Sequence, residues 1–478
     1  MSQVFPILGL LNISLSVLMA IPLVIGLVCG EKEAVSFAIA IGITAIAGLL
    51  FYFPFSQDKK NINRRQAFSI VSFGWLNASF FGAIPFALSG FFPQPLDAFF
   101  ETVSGFTTTG ASVLATIDGL PKSILFWRSI IQWLGGMGII LFSIAILPFL
   151  GVGGMQLYRA EVPSPFLDKL RPRIAETAKI LWQTYLLITG LEVILLWLGG
   201  MSLFDSFCHS FTTMATGGFS TKTDSIGFFG MYHRIVITVF MFLAGTNFAL
   251  HYRFMKGDYG GYKRDREFRL YLSLLAVAIV SVWLVLMVNL GGSWGNRFEE
   301  SAFQVVSIMT TTGFATTDFD QWPHFCRYLL FLLMFIGGCA GSTGGGIKCI
   351  RILLLYKYIR QEFKKIMHPR AVLAVKVGGQ TISPAVLNGI LGMFILFIGI
   401  FVFASIAMSL LGLDLITSIS SVAAALGNIG PGLAAVGPTA NYSHIPSIGK
   451  LILIFCMLAG RLELYTMVIL LLPEFWRR

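Results

Sequence analysis

Charged side chains are scarce in this chain. They make up 12% of its 478 residues, about half the share found in soluble domains. So few cannot cover a soluble globule of this length, which argues against a soluble enzyme and a disordered chain. Cysteine is sparse as well. Cys29, Cys208, Cys326, Cys339, Cys349 and Cys456 form no CxxC pair, and most lie in apolar runs. They read as small buried hydrophobes, not as a disulfide scaffold. The six histidines show no HExxH or other close ligand spacing, which argues against a zinc site. No basic segment precedes the apolar run from Phe5 to Cys29. That run is too long for the core of a signal peptide, so it reads as a membrane span.

Apolar residues and glycine are abundant instead, at 56% and 50 residues, with a mean hydropathy of +0.79. Ten apolar runs approach the ~20 residues that a spanning helix needs. They lie near 5–29, 35–55, 67–92, 124–150, 178–200, 230–250, 268–290, 325–347, 383–411 and 449–472. Four shorter stretches lie near 96–108, 204–215, 299–311 and 415–427. They are too short to span and fit re-entrant half-helices.

The net charge of +11 is sided. Stretches 56–66, 151–179, 251–269, 348–380 and the tail hold 25 basic against 9 acidic residues, and the rest of the chain holds 9 against 14. With ten spans, these five stretches share one face with both termini. The positive-inside rule makes that face cytoplasmic. The half-helices then enter from outside.

The four outer segments resemble one another. They open on Asp97, Asp205, Glu300 and Asp414 and close on Gly110, Gly217, Gly313 and Gly430. A basic residue follows in each next span: Arg128, Arg234, Arg327 and Lys450. The closing glycines are 107, 96 and 117 residues apart. A span, half-helix, span unit is therefore repeated four times. The expected fold is an all-α polytopic membrane protein with ten transmembrane helices and four re-entrant pore half-helices. Its parts are two N-terminal helices (1–66) and pore repeats at 67–150, 151–256, 257–380 and 381–478.

An acid at the start of a short helix suits the positive end of its dipole, and the opposite end then points into the membrane. Four such ends favour a cation between them. Glycine lets the following carbonyls turn inward, and rings of carbonyls can replace a cation's hydration shell. The expected filter is Thr108-Thr109-Gly110, Ala215-Thr216-Gly217, Thr311-Thr312-Gly313 and Asn428-Ile429-Gly430.

The segments FTTTGAS (106–112), TTMATGGFST (212–221), TTTGFATTDFD (310–320) and AALGNIGPGL (424–433) strongly resemble the filter loops of the TrkH family. Its members are membrane subunits of bacterial Trk potassium uptake systems, within the Trk/Ktr/HKT superfamily. The resemblance covers essentially the whole chain, including two extra N-terminal spans. In that family a glycine at each filter position goes with potassium, and a serine in the first loop goes with sodium. Gly110 therefore implies potassium uptake. The fourth loop departs from the Thr-x-Gly form, and Gly430 is aligned in preference to Gly427.

Stretch 337–348 holds six glycines in ten residues, each costing a helix roughly 1 kcal/mol relative to alanine. Irregular backbone at membrane depth is tolerated only beside protein or water. It reads as a flexible loop obstructing the pore at Gly341, Gly344, Gly345, Gly346 and Lys348, and similarity to TrkH implies a gating role. A Walker A reading fails, because Ile347 separates Gly346 from Lys348, and Cys349 follows. Arg461 lies in the last span, where a charge is expensive. In the family an arginine there limits permeation, so Lys348 and Arg461 are candidate barriers. A structural pairing with Glu463 or a helix-end partner is the alternative for Arg461, and structural pairing is expected for Glu192.

No covalent chemistry is expected, and no cofactor on this chain beyond a potassium ion in the pore. The resemblance implies a homodimer in the bacterial inner membrane with a cytoplasmic TrkA ring that binds NAD(H) or ATP. Membrane lipid, and no nucleic acid, is the other partner. Two other readings stay open: a sodium or mixed pathway of the same fold, and a proton- or sodium-coupled secondary transporter. The second needs titratable groups along the path. Glu192 and Glu463 are the only acids read as lying well inside the spans.

Overall fold

A computed structural model describes residues 4–55, 64–145, 174–371, 373–378 and 380–477. The basic stretches 56–63 and 151–173 lie outside them.

Helices of eight residues or more are numbered along the chain. α1 (Val4–Cys29) and α2 (Ala34–Tyr52) form a hairpin. Then follow α3 (Arg64–Ser89), the short α4 (Pro95–Phe106) and α5 (Lys122–Ala145). Next are α6 (Ile174–Leu198), the short α7 (Leu203–Met214), α8 (Met231–Ala244) and α9 (Phe248–Met255). Then come α10 (Arg266–Leu290), the short α11 (Trp294–Met309), α12 (His324–Leu333) and α13 (Cys349–Met367). The last are α14 (Pro384–Leu410), the short α15 (Leu415–Gly427) and α16 (Ser447–Arg461). A small hairpin, β1 (Lys376–Val377) with β2 (Gln380–Thr381), precedes α14.

Six of the described helices are long and apolar enough to cross a membrane, or up to eight if each of two bent pairs is one span. The fold is thus helical and multi-pass. The run at 124–150 is helical as far as Ala145, and its end lies outside the described residues.

Three expected spans are broken. The glycine-rich run ends α12 at Leu333, as expected. The run at 230–250 also breaks, turning 101° between α8 and α9. Gly245 propagates a helix poorly, and the Asn247 side chain starts α9 by accepting the Ala249 amide at 2.9 Å. The run at 449–472 turns by 119° after Arg461, with positive φ at Glu463 and Leu464. Neither turn is signalled by the hydropathy.

The C-terminal halves of the short helices are largely buried. Several of their hydroxyls bond back to their own helices, as Thr102 to the Ala98 carbonyl and Thr213 to that of His209, each at 2.7 Å. This satisfaction lets Ser/Thr-rich helices sit in the interior. Asp414 caps α15, accepting the Thr417 amide at 3.0 Å. α11 begins at Trp294, so Glu300 lies inside the helix, not at its start, and pairs with Arg297 at 2.7 Å.

The N-terminal hairpin is docked to the first unit through its turn. Glu31 accepts the Lys122 amide at 2.7 Å and the Ser123 amide at 3.0 Å, capping α5.

Candidate functional site

Each short helix ends in the same backbone device. Thr108, Thr216, Thr311 and Asn428 are left-handed, with φ of 53°, 53°, 63° and 55°. The next amide reaches back to the helix: Thr109 to Ser104, Gly217 to Thr212, Thr312 to Ser307 and Ile429 to Ala424, at 2.8–2.9 Å. This is the Schellman arrangement, normally closed by glycine. Asparagine tolerates it, but β-branched threonine is an outlier there, and such strain marks functional backbone.

One residue later comes a left-handed glycine: Gly110, Gly218, Gly313 and Gly430, with φ of 82°, 76°, 81° and 100°. Each meets a carbonyl of the next loop. A methyl at Gly110 would strike the Gly217 oxygen, one at Gly218 that of Thr312, and one at Gly313 that of Ile429. At Gly430 it would lie 2.7 Å from the oxygen of Thr109, which closes the ring. The same four glycines line one cavity.

The second loop is therefore offset by one residue from the expected Ala215-Thr216-Gly217. Its backbone equivalent is Thr216-Gly217-Gly218, and Ala215 belongs with Thr107, Thr310 and Gly427. Gln132 of α5 explains the extra glycine. Its amide donates to the Gly217 carbonyl at 2.6 Å and accepts the Phe219 amide at 3.0 Å. A side chain at Gly217 would overlap it.

Around the ring, all four predicted bases find acids. Arg128 pairs with Glu101 at 2.9 Å, Arg234 with Glu299 at 3.8 Å, Arg327 with Asp320 at 2.8 Å and Lys450 with Asp97 at 2.6 Å. Asp97 therefore serves the last unit's lysine rather than acting as a cap. Arg128 also stacks 4.1 Å from the Phe219 ring centre and donates to the Ser220 carbonyl at 3.2 Å, joining the first loop to the second. Glu101 and Arg128 are buried. Glu101→Ala is expected to destabilise the protein by about 3–5 kcal/mol, because it strands a buried guanidinium. The drop should appear in a thermal melt of the purified protein in detergent.

Beneath the ring lies the glycine-rich stretch. Its limbs pair through Gly337 N–H to the Ile347 carbonyl at 2.9 Å. The Gly345 amide donates to Thr311 Oγ1 at 2.6 Å, and Thr343 Oγ1 donates to the Met214 carbonyl at 2.9 Å. A methyl at Gly345 would strike the Gly427 oxygen. The tip thus touches the C-terminal ends of three short helices. Lys348 folds back onto the Gly344 carbonyl. Arg461 donates to the Thr343 carbonyl at 2.7 Å and the Gly135 carbonyl at 3.0 Å. Glu463 is engaged by Arg351, so the Arg461–Glu463 pair does not form. Among the described residues neither carboxylate oxygen of Glu192 has a hydrogen-bond partner, and Thr213 lies beside it. The pairing expected for Glu192 is not seen there.

The family model for TrkH, described as a cation transport protein, matches residues 33–477. The chain belongs to the TrkH family. It is 42% identical to the Trk system potassium uptake protein TrkH of Escherichia coli (strain K12) over 98% of both chains. Identity to that of Vibrio parahaemolyticus is 42% over 99% of both. The Trk system potassium uptake protein TrkG of Escherichia coli (strain K12) is 37% identical over 95% of this chain and 94% of its own. The crystal structure of the potassium transporter TrkH from Vibrio parahaemolyticus superposes with a TM-score of 0.92, covering 100% of this chain and 99% of that one at 39% identity.

Within this TrkH-family fold, eleven of the twelve expected loop residues fall on the ring backbone, with Ala215 one step before it. Gly341, Gly344, Gly345, Gly346 and Lys348 lie on the glycine-rich stretch beneath, and Arg461, at the end of α16, donates to it. Sequence reasoning missed Gly218 and Gln132. A lone amide in an apolar run was the available signal for Gln132. Five cysteines are buried as expected, and Cys29 is exposed.

Proposed function

We propose that this chain is the membrane subunit of a potassium uptake system, a gated pore with one pseudo-fourfold pathway per chain. The closed ring of four loops carries this reading. Each loop follows a buried short helix whose partly negative end faces inward, and each offers backbone carbonyls in place of water. Potassium is favoured by Gly110 in place of serine, and by the potassium uptake named for the relatives. The loop 341–346, with Lys348 and Arg461, closes the path.

The full architecture is ten spans and four re-entrant half-helices. Residues 1–66 precede repeats at 67–150, 151–256, 257–380 and 381–478. Charge asymmetry puts both termini in the cytoplasm of a cell whose inner membrane holds the protein. An inside-negative potential supplies ~2.3 kcal/mol per charge per 100 mV, enough to drive cations inward without covalent chemistry. A homodimer carrying a TrkA ring that binds NAD(H) or ATP would supply control. The basic stretches at 151–179, 251–269 and 348–380 are its docking surface.

The test is cation uptake by purified protein in liposomes under an imposed potential, without a proton gradient. Potassium and rubidium should enter and sodium should not. Gly110→Ser should admit sodium. Equal sodium and potassium flux in the wild type would overturn the selectivity. No flux until a proton gradient is added would replace the pore with a coupled transporter.

A further inference from the structure

Glu267 stands among the charges Asp265, Arg266 and Arg269 at the start of α10 and reads in sequence as part of a solvated loop. The structure buries it to 4% exposure. Its Oε1 accepts two backbone amides, Ala340 at 2.7 Å and Ile350 at 2.9 Å. These residues lie on the two limbs of the glycine-rich stretch, immediately outside the segment 341–349. One oxygen atom therefore ties down both roots of the same loop.

The other bonds at the roots are of a different kind. Gly337 to Ile347, Cys339 to Gly245, Cys349 to Gly338 and Phe248 to Gly341 are backbone to backbone. The tip is held from other units through Thr311, Thr343 and Arg461. The Cys349 thiol also donates to the Gly337 carbonyl at 3.3 Å, from within the loop. Glu267 is the carboxylate that couples the limbs, and α10 carries it from outside the loop. A carboxyl buried at the end of an apolar helix is costly to keep there, and its two amide bonds offset that cost.

We infer that Glu267 is a latch: a positioning residue that holds the glycine-rich loop in its obstructing position and frees both limbs together when it lets go. The inference rests on reading the loop as the gate. It touches no permeating ion and acts only through the Ala340 and Ile350 amides.

Two native thiols report on it. Cys339 and Cys349 adjoin the latched residues and are buried, at 1% and 0% exposure. With Cys29, Cys208, Cys326 and Cys456 replaced by serine or alanine, maleimide labelling of the remaining pair reads loop opening, and mass spectrometry locates the adduct. Glu267→Leu keeps the bulk and removes the acceptor. It should speed labelling at least roughly tenfold, since two hydrogen bonds are lost and about one suffices for that shift of a local opening equilibrium. Glu267→Asp, one methylene shorter, cannot span both amides and should act in the same direction, which serves if the leucine variant does not fold. Glu267→Gln, whose amide oxygen can accept both bonds, should return labelling to the slow rate. Unchanged labelling in whichever of the leucine and aspartate variants folds overturns the latch. Rubidium flux on the same samples separates the two readings. Fast labelling with raised flux supports latch and gate together. Fast labelling with unchanged flux keeps the latch and removes the loop's role as gate.

Discussion

Gly218→Ala is expected to cut potassium flux at least roughly tenfold, whereas Gly217→Ala should cost a few-fold at most. The two glycines are neighbours and differ in what surrounds them. Gly218 has φ of 76°, and a methyl there strikes the Thr312 carbonyl oxygen. A left-handed alanine costs about 1–2 kcal/mol. Forcing it against backbone adds about 1–3 kcal/mol, and the ring cannot yield without displacing the next loop. At Gly217 the nearest atoms a methyl meets are the end of the Gln132 side chain, which can shift at the cost of weakening its bonds to the Gly217 carbonyl and the Phe219 amide and leaves the ring backbone in place. Rubidium uptake by both variants in liposomes, with folding checked by gel filtration, reads the difference. Loss at Gly217 with tolerance at Gly218 would restore the register that the sequence spacing suggests and unseat the one described above.

Deleting Gly344, Gly345 and Gly346 is expected to raise potassium flux by about tenfold. The deletion removes the Gly345 amide bond to Thr311 and the carbonyl on which Lys348 rests. It also shortens the chain that presents Thr343 to Arg461. Each lost bond is worth about 0.5–1.5 kcal/mol, so on the proposed gate the loss of two or three favours the open loop. The Ile336–Ile347 bridge below the tip should keep the fold. Uptake at fixed potential is the measurement. Unchanged or lower flux in a folded deletion variant would remove the loop from the path.

The sequence made the ring legible because its pieces are periodic. Four acid-to-glycine segments followed by a base are visible without a structure, and all four bases do find acids. What stayed hidden is conformational. Thr216-Gly217 and Gly217-Gly218 look equally good on paper, and only the left-handed turns at Thr216 and Gly218 choose between them. Hydropathy reads 230–250 as one span, because Gly245 and Asn247 are too few to dent an apolar average. The start of α11 was misplaced because Glu300 resembled a cap, while the helix begins two turns earlier over a poorly marked Gly-Gly-Ser-Trp stretch. Glu267 was concealed by company. Beside Asp265 and Arg266 it counted as loop charge, and only tertiary packing withdraws it from water.

The four quarters of the ring are written by one chain and are not copies. Two end in Thr-Thr-Gly, one in Thr-Gly-Gly and one in Asn-Ile-Gly. An assembly of identical subunits changes every quarter with each codon. Here a codon changes one. Natural variation can therefore sample a single lobe while three keep their shape, and a laboratory series can dose the same substitution into one, two, three or four lobes. The asparagine that replaces threonine in the last lobe, with its amide bonded to Thr109 at 3.0 Å, is a difference of the kind that this independence lets accumulate.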